Sequence, residues 1–283
     1  MLTRELIREL QSDAHLALPL PALEKLPRGD GWLRDATLHE PDRLAAQLAA
    51  FAADAGHPGG DPHAIASLWS RWYFHTVMTP LVAALVLQRA CPAPRAVRIT
   101  AGPGACGLHW AAEAPTVRDQ EAPAASEYPL RLARPVIQAL AQASRTAPRV
   151  FWNNLGNLLE YLACQLRPHP RAHAGLRQAL AAMLDAPALS DGGPNPVCGS
   201  VRYQTDPHTG ATVRVRRLCC LYYRLPGIEL CGDCPRLHPH RAHGDSDTLS
   251  SGAAGAADRS AQRPGSRRAA STPHAPIPRK GAL

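Results

Sequence analysis

The chain has 283 residues, 45% of them apolar and only 5% aromatic, and its 31 basic and 23 acidic residues give a formal charge of +8. That is apolar matter enough for one large core or two small ones. The positive balance is almost entirely arginine, since Lys25 and Lys280 are the only lysines, and half of the excess lies beyond residue 239, where seven basic residues meet three acidic ones. Arginines scattered in this way, rather than set along a stripe with stacking aromatics, argue against nucleic-acid binding.

The first forty residues carry short helical patches broken by Pro19, Pro21 and Pro27, and read as a poorly defined N-terminal segment. Organisation starts at Pro41. Leu44, Leu48 and Phe51 recur at helical spacing, and Gly56 closes that helix. Asp61 caps a second helix that has Pro62 at its first position. Ile65, Leu68, Trp69 and Trp72 form its apolar face, and Pro80 is expected to end or kink it. Trp69, Trp72 and Tyr73 have two readings, core packing or a hydrophobic wall for a substrate; His75 is read as structural or functional in the same way. The run 72–87 is sixteen residues without a charge, interrupted by His75 and Pro80. It falls short of the ~20 that a membrane-spanning helix needs. No transmembrane span is expected, which leaves room for peripheral contact with the inner membrane.

Around residue 97, Val97 and Ile99 alternate with Arg98 and Thr100, a Gly-Pro-Gly turn follows, and the chain resumes at Gly107, the pattern of a hairpin. Two helices are expected next, one over 130–143 and one capped by Thr146 with Phe151, Leu155, Leu158, Leu159 and Leu162 on one face. Asn153, Asn154 and Asn157 lie together near its start. They are solvated or capping amides on one reading; on the other, Asn153 contacts substrate or the late cysteine loop. A further helix spans 171–184, and a second hairpin over 201–204 and 211–216 leads into a cysteine-rich segment. Residues 240–283 are rich in Ser, Gly, Ala, Pro and Arg and read as a disordered tail. Together these elements predict an α+β fold: a mainly helical region over 41–190, small β-hairpins, and a C-terminal module over 191–239.

Four of the eight cysteines, Cys219, Cys220, Cys231 and Cys234, fall within 216–235, spaced C-C-x10-C-x2-C. Four thiolates complete the shell of one zinc ion or one iron–sulfur cluster. Cys231 and Cys234 make an ordinary knuckle, with Gly232 suited to the turn. Cys219 and Cys220 do not, because neighbours on an extended chain point to opposite sides and reach one centre only where the backbone bends. A two-iron cluster, being larger, eases that geometry. Spacing alone leaves zinc and iron–sulfur both open. Cys91, Cys106, Cys164 and Cys198 lie elsewhere without disulfide-like spacing, and the N-terminus has no export signal, so the chain is expected in the cytoplasm.

The segment RRLCCLYYRLPGIELCGDCP resembles the C-terminal signature of the FhuF-type siderophore-iron reductases, with weaker echoes at 68–87 and 151–162. The resemblance implies a [2Fe-2S] cluster on all four cysteines and one-electron reduction of a ferric siderophore to release Fe(II). Arg216, Arg217, Arg224 and Tyr222 surround the first pair and are candidates for tuning the cluster. No Gly-rich nucleotide motif is present, so the electron is expected from a separate reduced ferredoxin- or flavin-type donor. An electron carrier or redox sensor that never meets a siderophore, and a zinc-stabilised interaction protein, are the alternatives.

Overall fold

The computed structural model describes residues 2–18, 20, 22–23, 32–34, 40–101, 106–206 and 210–238. The tail over 240–283 and the Gly-Pro-Gly turn lie outside them. The architecture is α+β. In chain order it comprises α1 (Thr3–Gln11), β1 (Ala22–Leu23), β2 (Leu33–Arg34), α2 (Pro41–Asp54), α3 (Pro62–Gln88), β3 (Pro94–Arg98) and β4 (Gly107–Trp110). Then come a 3₁₀ turn (Asp119–Glu121), α4 (Ala122–Ser126), α5 (Tyr128–Ser144), α6 (Pro148–Leu166), α7 (Ala174–Asp185), β5 (Val201–Thr205), β6 (Thr212–Arg216) and a second 3₁₀ turn, Tyr222–Arg224.

Helix α3 is the axis. Asp61 accepts from the backbone N–H of His63 and Ala64 at 2.8 and 3.1 Å, so the helix starts where its cap and Pro62 put it. It does not stop at Pro80. Nearly every residue from Ala64 to Leu87 is buried, and packing on all sides outweighs the ~3 kcal/mol that an interior proline costs. Helices α1, α2, α5 and α6 pack against it. Trp69 and Tyr73 are stacked in that core, ring centroids 5.3 Å apart, at 0% and 1% exposure; Trp72 is only partly buried against it. Neither Trp69 nor Tyr73 has a face left for a substrate.

The hairpin β3–β4 forms the centre of a four-stranded sheet, β1-β4-β3-β2, in which β1 pairs parallel with β4 and the rest are antiparallel. The N-terminal stretch thus supplies two edge strands and α1, which buries Leu6, Ile7 and Leu10. Thr146 is not the cap of α6. That helix begins from Ala147, and the Thr146 hydroxyl instead accepts from Ser144 and lies 3.0 Å from His63 Nδ1. Residues 1–238 form one compact unit, and Val197 and Leu225 of the late region join the same core as α3.

Helix α1 is tied down by charge. Arg171 bridges Glu9 and Asp13, and His169 Nε2 lies 3.1 Å from Asp13. The Arg171 hydrogen bond, followed by that from the His15 backbone, holds the Asp13 carboxyl below its ordinary value of 3.8. A depressed carboxylate contributes stability that is full above its unfolded pKa and is lost as pH falls through the folded value. Asp13→Asn should therefore lower Tm at neutral pH and lose less than the wild type between about pH 4 and pH 2. Circular-dichroism melts at several pH values check this, and parallel profiles for the two proteins would contradict it.

Candidate metal centre

The second hairpin, β5–β6, pairs Val201 with Arg216 through Thr205 with Thr212 and is open to solvent at its far end. Its near end is clamped to α6. Asn153 donates to the Ser200 carbonyl at 3.0 Å and accepts from the Leu218 N–H at 2.5 Å, while the Arg217 N–H reaches the same Ser200 carbonyl at 2.8 Å. Asn153 is 4% exposed, so it holds the chain entering the cysteines rather than meeting a substrate. Gly156, one turn on, lets α6 come close, for a Cβ there would lie 2.1 Å from Ser200 Oγ and 2.6 Å from its Cβ.

After β6 the backbone bends. Leu221, immediately past the cysteine pair, sits in the left-handed region at φ 65°, an uncommon conformation for a bulky residue. This bend is what the adjacent cysteines require: Cys219 packs against the group that holds Cys220, and the Leu221 N–H points back to Cys219 Sγ at 3.4 Å. The Tyr222–Arg224 turn then drops Leu225 into the main core, and the chain returns to the knuckle. There Cys234 N–H donates to the Cys231 carbonyl at 2.9 Å. Gly232 is not at positive φ, and an added Cβ would meet open space, so this turn does not depend on glycine. Gly232→Ala should leave metal content and Tm unchanged, as metal analysis and a melt would show.

Cys220, Cys231 and Cys234 are 1–4% exposed and pack as one group with half-buried Cys219 beside them; Cys220 and Cys231 have their sulfurs 3.8 Å apart. Hydrogen bonds from Cys219 and Cys231, with Arg216 and Arg71 behind them, push the Cys220 thiol down. The same bonds, together with burial, push Cys219 and Cys231 up. Among the described residues no group of three or more His, Cys, Asp or Glu side chains is already gathered as tightly as a single metal ion would hold them.

The surrounding charges fall into two sets. Arg216 is 1% exposed; its Nη2 donates to Asn154 Oδ1, and its Nε and Nη1 are buried without a partner among the described residues. Asn154 is itself held by Ser67 and Ser70 of α3, at 3.0 and 2.9 Å, so the guanidinium is fixed in place through two helices. A buried cation with two unmet donors beside four thiols fits an anionic centre, and without one it is a large cost. Arg214 instead pairs with Glu160 at 2.6 Å and Asp233 at 3.1 Å, bracing the knuckle against α6. Arg217 is exposed, and exposed Arg224 pairs with the cap residue Asp61 at 3.2 Å, away from the sulfurs' buried side. Tyr222 packs against the cysteine group, under the guanidinium of Arg71 at 4.7 Å.

Residues 216–236 match the family described as FhuF 2Fe-2S C-terminal domain, and residues 108–211 match the one described as Ferric iron reductase FhuF-like transporter. The chain is similar to the FhuF type over these two stretches. The cysteine module matches the [2Fe-2S] segment, and the buried thiols with their unmatched arginine fit such a cluster. A curated protein of Escherichia coli (strain K12), named ferric siderophore reductase, is 26% identical over 177 residues; the match covers 59% of this chain and 64% of that protein. The chain thus matches less than two thirds of that relative's length. Arg71 was not among the sequence candidates. A signal was there to find it: Arg71 is the one Asp, Glu, Lys or Arg in the 27 residues of α3.

Proposed function

We propose that this chain is a ferric-siderophore reductase that passes one electron from a separate donor to a siderophore-bound Fe(III), releasing Fe(II) in the cytoplasm. When bound, a two-iron cluster supplies a one-electron relay. Cys219, Cys220, Cys231 and Cys234 would hold it. The observation that carries the reading is the buried Arg216 beside those four thiols, whose Nε and Nη1 have no hydrogen-bond partner among the described residues.

Siderophores grip Fe(III) through hard oxygen donors and Fe(II) far less tightly, so reduction is itself the release step. The chain then needs no acid, base or nucleotide for the chemistry; it must exclude water and let an anionic chelate come close. Tyr222 and Leu230 cover the thiols. Beside the knuckle an open, largely apolar groove runs between Tyr223, Ile228, Glu229, Leu230, Arg236 and Leu237, with the Arg236 guanidinium 4.3 Å over the Tyr223 ring. Its one cation is matched by the Glu229 carboxylate, so the groove offers apolar area near the thiols rather than a net positive charge. Among the described residues no helix is long and apolar enough to cross a membrane.

The test is anaerobic purification followed by iron and sulfide analysis, then mixing of reduced protein with ferric chelate and a ferrous trap. Stoichiometric trapped Fe(II) with re-oxidation of the protein is expected. A brown protein that stays reduced would be an electron carrier instead, and a colourless one containing zinc would be an interaction module.

A further inference from the structure

Arg71 stands on α3, far in sequence from any cysteine, between the buried Trp69 and the partly buried Trp72. Its guanidinium carbon lies 4.7 Å over the Tyr222 ring, and its Nη1 is buried without a hydrogen-bond partner among the described residues. A stacked guanidinium accounts for the position of the head group. It does not account for a buried N–H left unmet, because such a donor is expensive unless an acceptor arrives. Arg216, on a different element, presents two more nitrogens in the same condition. Tyr222, on which Arg71 is stacked, packs against the cysteine group. Asp233, the nearest carboxylate on the knuckle, is already paired with Arg214 at 3.1 Å.

Charge arithmetic gives these two residues a purpose. Two ferric ions, two sulfides and four thiolates sum to a dianion, and one added electron makes a trianion. Two cations, the buried Arg216 and the partly buried Arg71, balance the first state and favour the second more strongly. We infer that Arg71 is a positioning residue of the cluster: with Arg216 it supplies a second positive charge beside the cysteine group and raises the centre's reduction potential. The inference rests on the cluster reading but not on the siderophore. Burial opposes the charge on Arg71, but Tyr222, Cys220, Asp233 and Cys231 favour it and hold its pKa above the ordinary arginine value. The same guanidinium, after burial, pushes His75 on the next turn down to about 4, so that ring is neutral near pH 7 and adds no competing cation.

The experiment is a redox titration of the intact holoprotein, followed by visible absorption and by magnetic resonance of the reduced state, on the wild type, Arg71→Met, Arg71→Lys and Arg224→Met. Arg71→Met should keep its iron and sulfide but favour the reduced state at least about tenfold less, a fall of about 59 mV for one electron. Arg71→Lys should recover most of that. Arg224→Met, which removes an exposed charge that water and salt screen, should move it much less. An Arg71→Met potential within about twofold of the wild type in equilibrium terms would overturn the inference, as would a lysine variant as low as the methionine one. If Arg71→Met loses the cluster, the lysine variant decides: a retained cluster at near-wild-type potential supports the charge role, and a lost one overturns it. An unmoved potential in a protein that still yields Fe(II) removes Arg71 alone from the account. A wild type with no titratable centre would sink the cluster reading itself.

Discussion

Cys231→Ser is expected to abolish the visible absorption of the anaerobically purified protein and to remove iron and sulfide together. The reason is the chemistry of the ligand: a thiolate is the iron-binding form of cysteine, and a serine hydroxyl in this buried site remains protonated. The effect should exceed the ~10–100-fold loss in affinity that follows from removing a residue one shell further out. That magnitude separates ligands from neighbours. The same total loss is expected at Cys219, Cys220 and Cys234, whereas Cys198→Ser, whose thiol only leans on the Asp185 carbonyl at 3.5 Å, should keep a full complement. Unchanged colour and iron content in Cys231→Ser would remove that residue from the ligand set, and with it the reading of the 3.8 Å Cys220–Cys231 contact as half of a cluster shell.

The cysteines were legible because ligand chemistry is local: four soft donors within twenty residues announce a metal whatever the rest of the chain does. Their geometry was not. The bend that brings Cys219 and Cys220 to one side falls on Leu221, where no glycine marks it, and a left-handed leucine is imposed by its surroundings rather than by its own preference. Conversely, Gly232 looked like the residue that makes the knuckle turn, yet the turn has negative φ there and space for a side chain. The helices read well from periodicity, since an apolar face is a property of a short window. What covers that face is not. Trp69 and Tyr73 had the spacing of a core or of a substrate wall, and only the packing of the other helices around α3 decides for the core. Arg71 stood in the sequence as the one charge on α3, but its role was hidden for the same reason. Its meaning lies in Tyr222 and the thiols opposite, which sequence places some hundred and fifty residues away. The α3 helix also ran through Pro80 because burial on every side, a non-local quantity, overrode a local rule.

Gly156→Ala should be the most damaging small substitution outside the cysteines, because it acts on the clamp that presents them. The new methyl would sit 2.1 Å from Ser200 Oγ, 2.6 Å from Ser200 Cβ and 3.0 Å from Val197 Cβ. Rotating the hydroxyl away does not relieve a clash with Cβ, so α6 and the 197–200 loop must separate. Overpacking of this kind costs about 1–3 kcal/mol, and each kcal/mol lowers Tm by about 2–4 °C in a chain of this size. The displaced carbonyl of Ser200 is also the acceptor for Asn153 and for the Arg217 N–H, so the shift is passed directly to Leu218 and the cysteine pair. Gly156→Ala is therefore expected to lose iron as well as stability, in contrast to Gly232→Ala. Adding Ser200→Gly removes the two closest atoms and leaves the carbonyl in place. The double variant should recover most of the iron and part of the Tm, with Val197 accounting for the remainder. A non-additive cycle of that sign identifies the α6–Ser200 contact as the clamp. If the two changes simply add, and iron stays low in both, the close approach at Gly156 is not what holds the hairpin in place.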